Sequence, residues 1–100
     1  MLEKLENLEN RFKELSDLMI KPEILSDQKQ YIQLSKEYKE IKKIIDKGQV
    51  YKSILSNISE AQEIISNEKD KEMLEIARIQ LSESKEELPK FEEELKLLLI

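Results

Sequence analysis

Cysteine, histidine and tryptophan are absent from the 100 residues, glycine occurs once and proline twice, and only five side chains are aromatic. Without Cys or His there is no ordinary zinc, haem or iron–sulfur site, no thiol nucleophile and no imidazole general base. Disulfides are excluded, which suits a reducing compartment. So little Gly and Pro leaves few tight turns, and a sandwich or barrel of short strands needs many. Long apolar runs are lacking too. The longest is Leu97 to Ile100, far below the length that spans a bilayer. The opening Met1-Leu2-Glu3-Lys4-Leu5-Glu6 carries charge where a secretory signal needs an apolar core. These absences describe a cytoplasmic chain with no membrane partner, no cofactor and no small-molecule ligand.

What is present is Leu, Ile, Lys and Glu, with 39% apolar and 39% charged residues. That composition, at a length suited to one small domain, points to a few helices. The net charge of −5 is uneven. Residues 1–20 hold five acids and three bases, 21–50 five and seven, and 51–100 twelve and seven. Only the middle third is basic, so any contact with nucleic acid is confined to it.

Apolar spacing divides the chain into three helical segments in a single domain over 1–100. Met1, Leu5, Leu8, Phe12, Leu15 and Met19 alternate steps of four and three, which keeps them on one stripe of a helix over about 2–20. Pro22 stops it. Lys21–Ser26 reads as a loop, with Ile24 and Leu25 tucked down. Ser26 or Asp27 then caps a long helix over about 27–65. Its stripe runs Tyr31, Leu34, Tyr38, Ile41 and Ile45, shifts phase near Gly48, and resumes as Ile44, Tyr51, Ile58 and Ile65 with Leu55 and Ala61 between. The immediate resumption favours one helix continuing through Gly48. Ser66–Asp70 forms the second turn, and Asp70 caps a helix over about 70–99. Leu74, Ala77, Leu81, Ser84, Leu88, Phe91, Leu95 and Leu98 give it the cleanest seam, which holds phase across Pro89 and predicts a kink there, not a break. The expected fold is all-α: an elongated antiparallel three-helix bundle, a helical hairpin with a shorter first helix packed alongside.

Few residues read as chemistry. The Ser-x-x-Lys strings at Ser26–Lys29 and Ser82–Lys85 lack the companion motifs that make such a serine a nucleophile. Acidic clusters at Glu83/Glu86/Glu87 and Glu92/Glu93/Glu94 lack the histidines of di-iron bundles and are interleaved with Lys85, Lys90 and Lys96, so they read as a solvated face. The candidate site is Lys36, Lys39, Lys43 and Lys47. Steps of three, four and four align them roughly opposite the Tyr31–Ile45 stripe, where they meet RNA phosphate or an acidic protein if they meet anything. Glu37, Glu40 and Asp46 lie close enough to neutralise part of the row.

Particular strings add to this pattern. Residues 26–38, SDQKQYIQLSKEY, resemble the start of the second helix in bacterial class-1 peptide chain release factors. Tyr51-Lys52 followed by Ser59-Glu60-Ala61 is similar to the next stretch of that family, as is Asp70-Lys71-Glu72-Met73-Leu74-Glu75-Ile76-Ala77. The ending ELKLLLI resembles the point where the family's first domain passes into a linker. The short first helix and the LSKEY string look like the branch of the family that reads UAA and UAG. The family's Gly-Gly-Gln hydrolysis loop and Pro-x-Thr codon reader have no counterpart here, so no catalytic residue carries over. The resemblance implies the N-terminal helical domain of a translation termination factor. Such a domain is a docking arm toward the stalk base of the large ribosomal subunit, both protein and rRNA, and toward the recycling GTPase, with no enzyme activity of its own. Two alternatives remain at this level: an RNA-binding antiparallel arm like that of seryl-tRNA synthetase, and a self-assembling coiled coil.

Overall fold

A computed structural model describes all residues, 1–100. Helix covers 90% of the chain and strands are absent. In order, the elements are α1 (Leu2–Met19), α2 (Pro22–Leu25), α3 (Gln28–Asn67) and α4 (Lys71–Leu98). The all-α reading holds.

The stretch read as a loop over Lys21–Ser26 contains the one-turn helix α2. Pro22 causes it: at the first helical position its missing N–H is one of the orphans anyway, and its fixed φ is already helical. So the proline that ends α1 also starts α2. Ile24 is buried as expected, but Leu25, about 100° further around this single turn, is exposed. Asp27 caps α3, its carboxylate accepting from the Gln30 N–H at 3.2 Å. The Ser26 hydroxyl instead donates to the Glu23 carbonyl. At the second turn, the Asp70 carboxylate accepts from the N–H groups of Glu72 at 2.9 Å and Met73 at 3.4 Å. Glu68 accepts from the N–H groups of Lys69 and Asp70, which satisfies two backbone donors of the tight turn.

Contacts divide the chain into two compact units, the first spanning Met1–Asp46 and the second Lys47–Leu98. In the first, α1 packs on the opening turns of α3. Leu15, Ile41 and Ile45 are buried together, with Leu8, Phe12, Leu34 and Tyr38 around them. Phe12 stacks on Tyr38 at 4.5 Å between centroids. Arg11 meets Glu37, and this pair lies symmetrically about Ile24 in the chain. With the backbone bonds of residues 18–27 closing a compact turn, that symmetry makes the two helices antiparallel.

In the second unit, the rest of α3 and α4 form a hairpin about the turn at residues 68–70. Lys47 contacts Glu94, and the two are almost equidistant from that turn. The buried residues are large and small in equal number: Tyr51, Ile54 and Ala61 on α3, with Ala77, Ser84 and Leu95 on α4. The α4 helix continues unbroken through Pro89.

The apolar spacing along α3 changes near Gly48. Alternating steps of three and four hold a stripe in place, but Ile45, Gly48, Tyr51 and Ile54 are each three apart. Each such step falls short of a full turn by about 60°, so the apolar line drifts around α3 over this stretch. Gly48 is buried at the first of these steps and keeps ordinary helical dihedrals, presenting no side chain where the seam turns. The sequence reading placed the shift correctly at Gly48. It passed over Ile54, one of the best-buried side chains of the second stripe.

Candidate interaction surface

Each lysine of the candidate row is exposed on α3. Their surroundings differ. Lys43 pairs with Glu40 at 3.3 Å, one turn away on the same helix. Lys47 reaches across to α4, its Nζ 2.6 Å from a Glu94 carboxylate oxygen and 5.7 Å from the Phe91 ring centroid. Lys36 and Lys39 make no ion pair.

The sequence reading had all four lysines projecting away from the apolar seam, and Lys47 departs from it. The row does lie opposite the Leu34–Ile45 stripe. Within the second unit, however, Tyr51 and Ile54 are buried on α3, and Lys47 faces α4 beside them. Lys47 is the first residue of the row to reach that region. Its aliphatic stem and charged head are accordingly used within the hairpin.

The acids that sequence spacing set against the row are largely committed elsewhere. Glu37 takes both Nε–H and Nη2–H of Arg11, at 2.7 and 3.0 Å, in a bidentate fork between α1 and α3. Arg11 also holds Glu14 at 3.0 Å. The hydrogen bonds from Arg11 hold the Glu37 carboxyl below the usual carboxylate range. Asp46 is bound to Lys42 at 3.0 Å. Because Glu37 and Asp46 have nearer cations, Lys36 and Lys39 keep uncompensated charge. Lys29, seven residues before Lys36, extends the same line. The resulting strip of free ammonium groups suits a polyanion or an acidic protein face.

The chemistry-bearing candidates stay apart. Ser26 turns back on the Glu23 carbonyl, and Ser82 is an exposed helix residue. Neither has a lysine within hydrogen-bonding reach. Glu92 pairs with Lys96 at 3.1 Å, one turn on, as a solvated helix face does. No three acidic side chains gather to hold a metal ion. No helix is long and apolar enough to cross a membrane.

Comparison with known proteins places this architecture. The model of the PCRF domain matches residues 8–100. The chain belongs to the PCRF domain family. Among curated relatives of this PCRF domain, peptide chain release factor 1 of Flavobacterium johnsoniae is 49% identical over 100 residues, all of this chain and 28% of that protein. Peptide chain release factor 1 of Bacteroides fragilis is 46% identical over the same 100 residues, 27% of its length. That of Clostridioides difficile is 40% identical, again with 28% of its length covered. The PCRF chain thus spans little more than a quarter of the relatives it matches. No solved structure matches it.

Sequence reasoning missed one surface feature altogether. Met73, Ile76 and Ile79 are apolar yet lie outside the α4 seam, exposed by 47%, 65% and 50%. The signal was available, since steps of three carry them progressively away from Leu74, Ala77 and Leu81.

Proposed function

We propose that this PCRF domain is the helical docking arm of a bacterial translation termination factor that directs peptide release at UAA and UAG. The observation that carries the reading is the unbroken similarity of all 100 residues to peptide chain release factor 1. In this reading, release chemistry and codon reading belong to parts of the longer protein outside this chain, which acts without catalysis of its own in the cytoplasm. The arm engages the ribosome at the stalk base, protein and rRNA together, and bears on the recycling GTPase. Lys36, Lys39 and Lys43 meet rRNA phosphate, while Lys47 contributes least because Glu94 already holds it.

The free state of Lys36 and Lys39 supports an electrostatic contact of this kind. Exposed charges act mainly on encounter rate and salt sensitivity. Replacing Lys36, Lys39, Lys43 and Lys47 with Gln in the full-length factor is the test, read as ribosome association at several salt concentrations. The salt slope should fall by about 0.7–0.9 for each phosphate deprived of its ammonium partner. Helicity should be preserved, since three of the four side chains are exposed and make no ion pair with another helix. Unchanged association and slope would leave the lysines as a solvated face and remove rRNA from the proposal.

A further inference from the structure

Two opening turns of α4 present an apolar ridge that nothing in the chain covers. Met73, Ile76 and Ile79 are about half exposed or more, and each neighbours the next on the helix surface at a spacing of three. An isolated exposed apolar residue is ordinary, but three in line form a patch.

The charges nearest the crest of that ridge on α4 are acidic. Glu72 and Glu75 precede Ile76 and Ile79 by one helical turn, and Glu83 follows Ile79 by one. All three carboxylates are exposed and none is in an ion pair. The nearest bases on α4, Lys71 and Arg78, lie on the far side of Glu75, about 150° around the helix from Ile76, with Arg78 about 100° from Ile79. The ridge is therefore apolar along its crest with unpaired carboxylates at both ends.

That chemistry selects its occupant. Phosphate backbones and anionic lipid are repelled by the three carboxylates. A second copy laid symmetrically on the same patch would bring acid against acid. What fits is an amphipathic helix with apolar side chains along its seam and Lys or Arg beside them.

We propose that Met73, Ile76 and Ile79, with Glu72, Glu75 and Glu83, form a docking site for a basic amphipathic helix of a partner protein. The site deepens the docking-arm reading by giving it a protein-binding surface on α4, separate from the lysine row on α3. The three apolar side chains act as the anchor, and the carboxylates steer the partner and set its orientation. The patch is small, so the complex belongs with transient interfaces.

The test uses the 100-residue chain and a synthetic helical peptide of alternating Leu and Lys faces, titrated while backbone amide resonances are followed. Two control peptides carry Gln in place of Lys, or Ser in place of Leu. Shifts should centre on residues 72–83 with the Leu/Lys peptide, and both controls should bind at least tenfold more weakly. Ile76→Ser with Ile79→Ser should abolish the shifts while helicity stays unchanged. Glu72→Gln, Glu75→Gln and Glu83→Gln together should weaken binding about tenfold at low salt, a difference that closes at high salt. Shifts centred elsewhere, or binding indifferent to both sets of substitutions, would overturn the site. So would concentration-dependent dimerisation removed by the Ile76 and Ile79 changes, which would give the patch to a second copy. Because no ribosome enters this experiment, its failure leaves the lysine-row test untouched, and the reverse holds equally.

Discussion

The two compact units are held by different means. The first joins large apolar side chains, with Leu15 fully buried against Ile41 and Ile45 and a stacked Phe12–Tyr38 pair beside them. Its polar link is a two-bond guanidinium–carboxylate fork. The second also buries Tyr51, Ile54 and Leu95, but Ala61, Ala77 and Ser84 sit among them, so part of its seam carries side chains of one or two heavy atoms. A polar link between its helices is the ammonium contact of Lys47 with Glu94. Burial of a large side chain contributes through apolar area removed from water. A seam of small residues contributes through close backbone approach, and its tolerance for added volume is low. Equal helical order on both sides therefore conceals opposite sensitivities.

The largest effects should expose that opposition directly. Leu15→Ala removes a fully buried side chain from the first unit and should cost about 2–5 kcal/mol, the range for buried leucines. Ala77→Leu adds three carbons where 1% of the residue is exposed and should cost about 1–3 kcal/mol by overpacking. The converse changes are the control: Leu15→Met and Ala77→Ser should each cost less than either. Denaturant unfolding monitored by circular dichroism measures all four. If Ala77→Leu is neutral, the small-residue seam is loosely packed and the contrast between the units fails.

Next in size is a change that should strengthen the second unit. Pro89 lies inside α4 with its ring exposed, and it deprives the Lys85 carbonyl of its intrahelical donor. Pro89→Ala restores the N–H and relieves the steric conflict, and it removes no buried packing. Helix propensity alone sets an upper gain of ~3 kcal/mol. The freer unfolded chain of the alanine variant takes back part of this, so the net gain should be about 1–2 kcal/mol. Amide exchange should slow in the turn around Lys85–Pro89 and not in α1. A loss of stability would mean that the bend expected at Pro89 is needed for the hairpin to pack.

Those two experiments also mark what the sequence made legible. The α1 and α4 seams could be read outright, because uninterrupted alternation of three and four gives one face and both helices have one neighbour side to satisfy. The caps at Asp27 and Asp70 were legible for a similar reason, since a short acidic side chain before an apolar-periodic run has few other uses. In α3 the reading was partial. Its three consecutive three-residue steps show as a phase shift, but which residues are buried after it depends on where α4 lies. That is why Ile54 was passed over and Lys47 was given to the solvent face. The α2 turn was missed because Pro22 can end a helix or begin one, and the sequence supports both. For the candidate surface, the lysine row was visible as spacing. The capture of Glu37 by Arg11, 26 residues away in sequence, was not.

The smallest expected effect tests the polar link of the first unit through its pH dependence. Glu37 is held below its ordinary value of 4.5, first by hydrogen bonds from Arg11 and less by their opposite charges. A carboxylate whose folded pKa is lowered contributes stability that is fully present above the unfolded value. That contribution disappears as pH falls through the folded one. Glu37→Gln should therefore lower stability at neutral pH, and the gap from the unaltered chain should be constant down to about pH 5. Below that, the gap should shrink progressively as the carboxylate of the unaltered chain takes up its proton. Both side chains are more than a third exposed, at 38% and 40%, so solvent screening keeps the whole effect at the scale of surface ion pairs. Added salt should narrow it further, though the fork geometry resists screening better than the single contact of Lys47 with Glu94. Thermal midpoints of the two chains across pH 3–8 make the measurement. A gap that stays constant to the lowest pH would show that Glu37 serves by packing beside Arg11, and that the charge of the fork contributes nothing to joining α1 and α3.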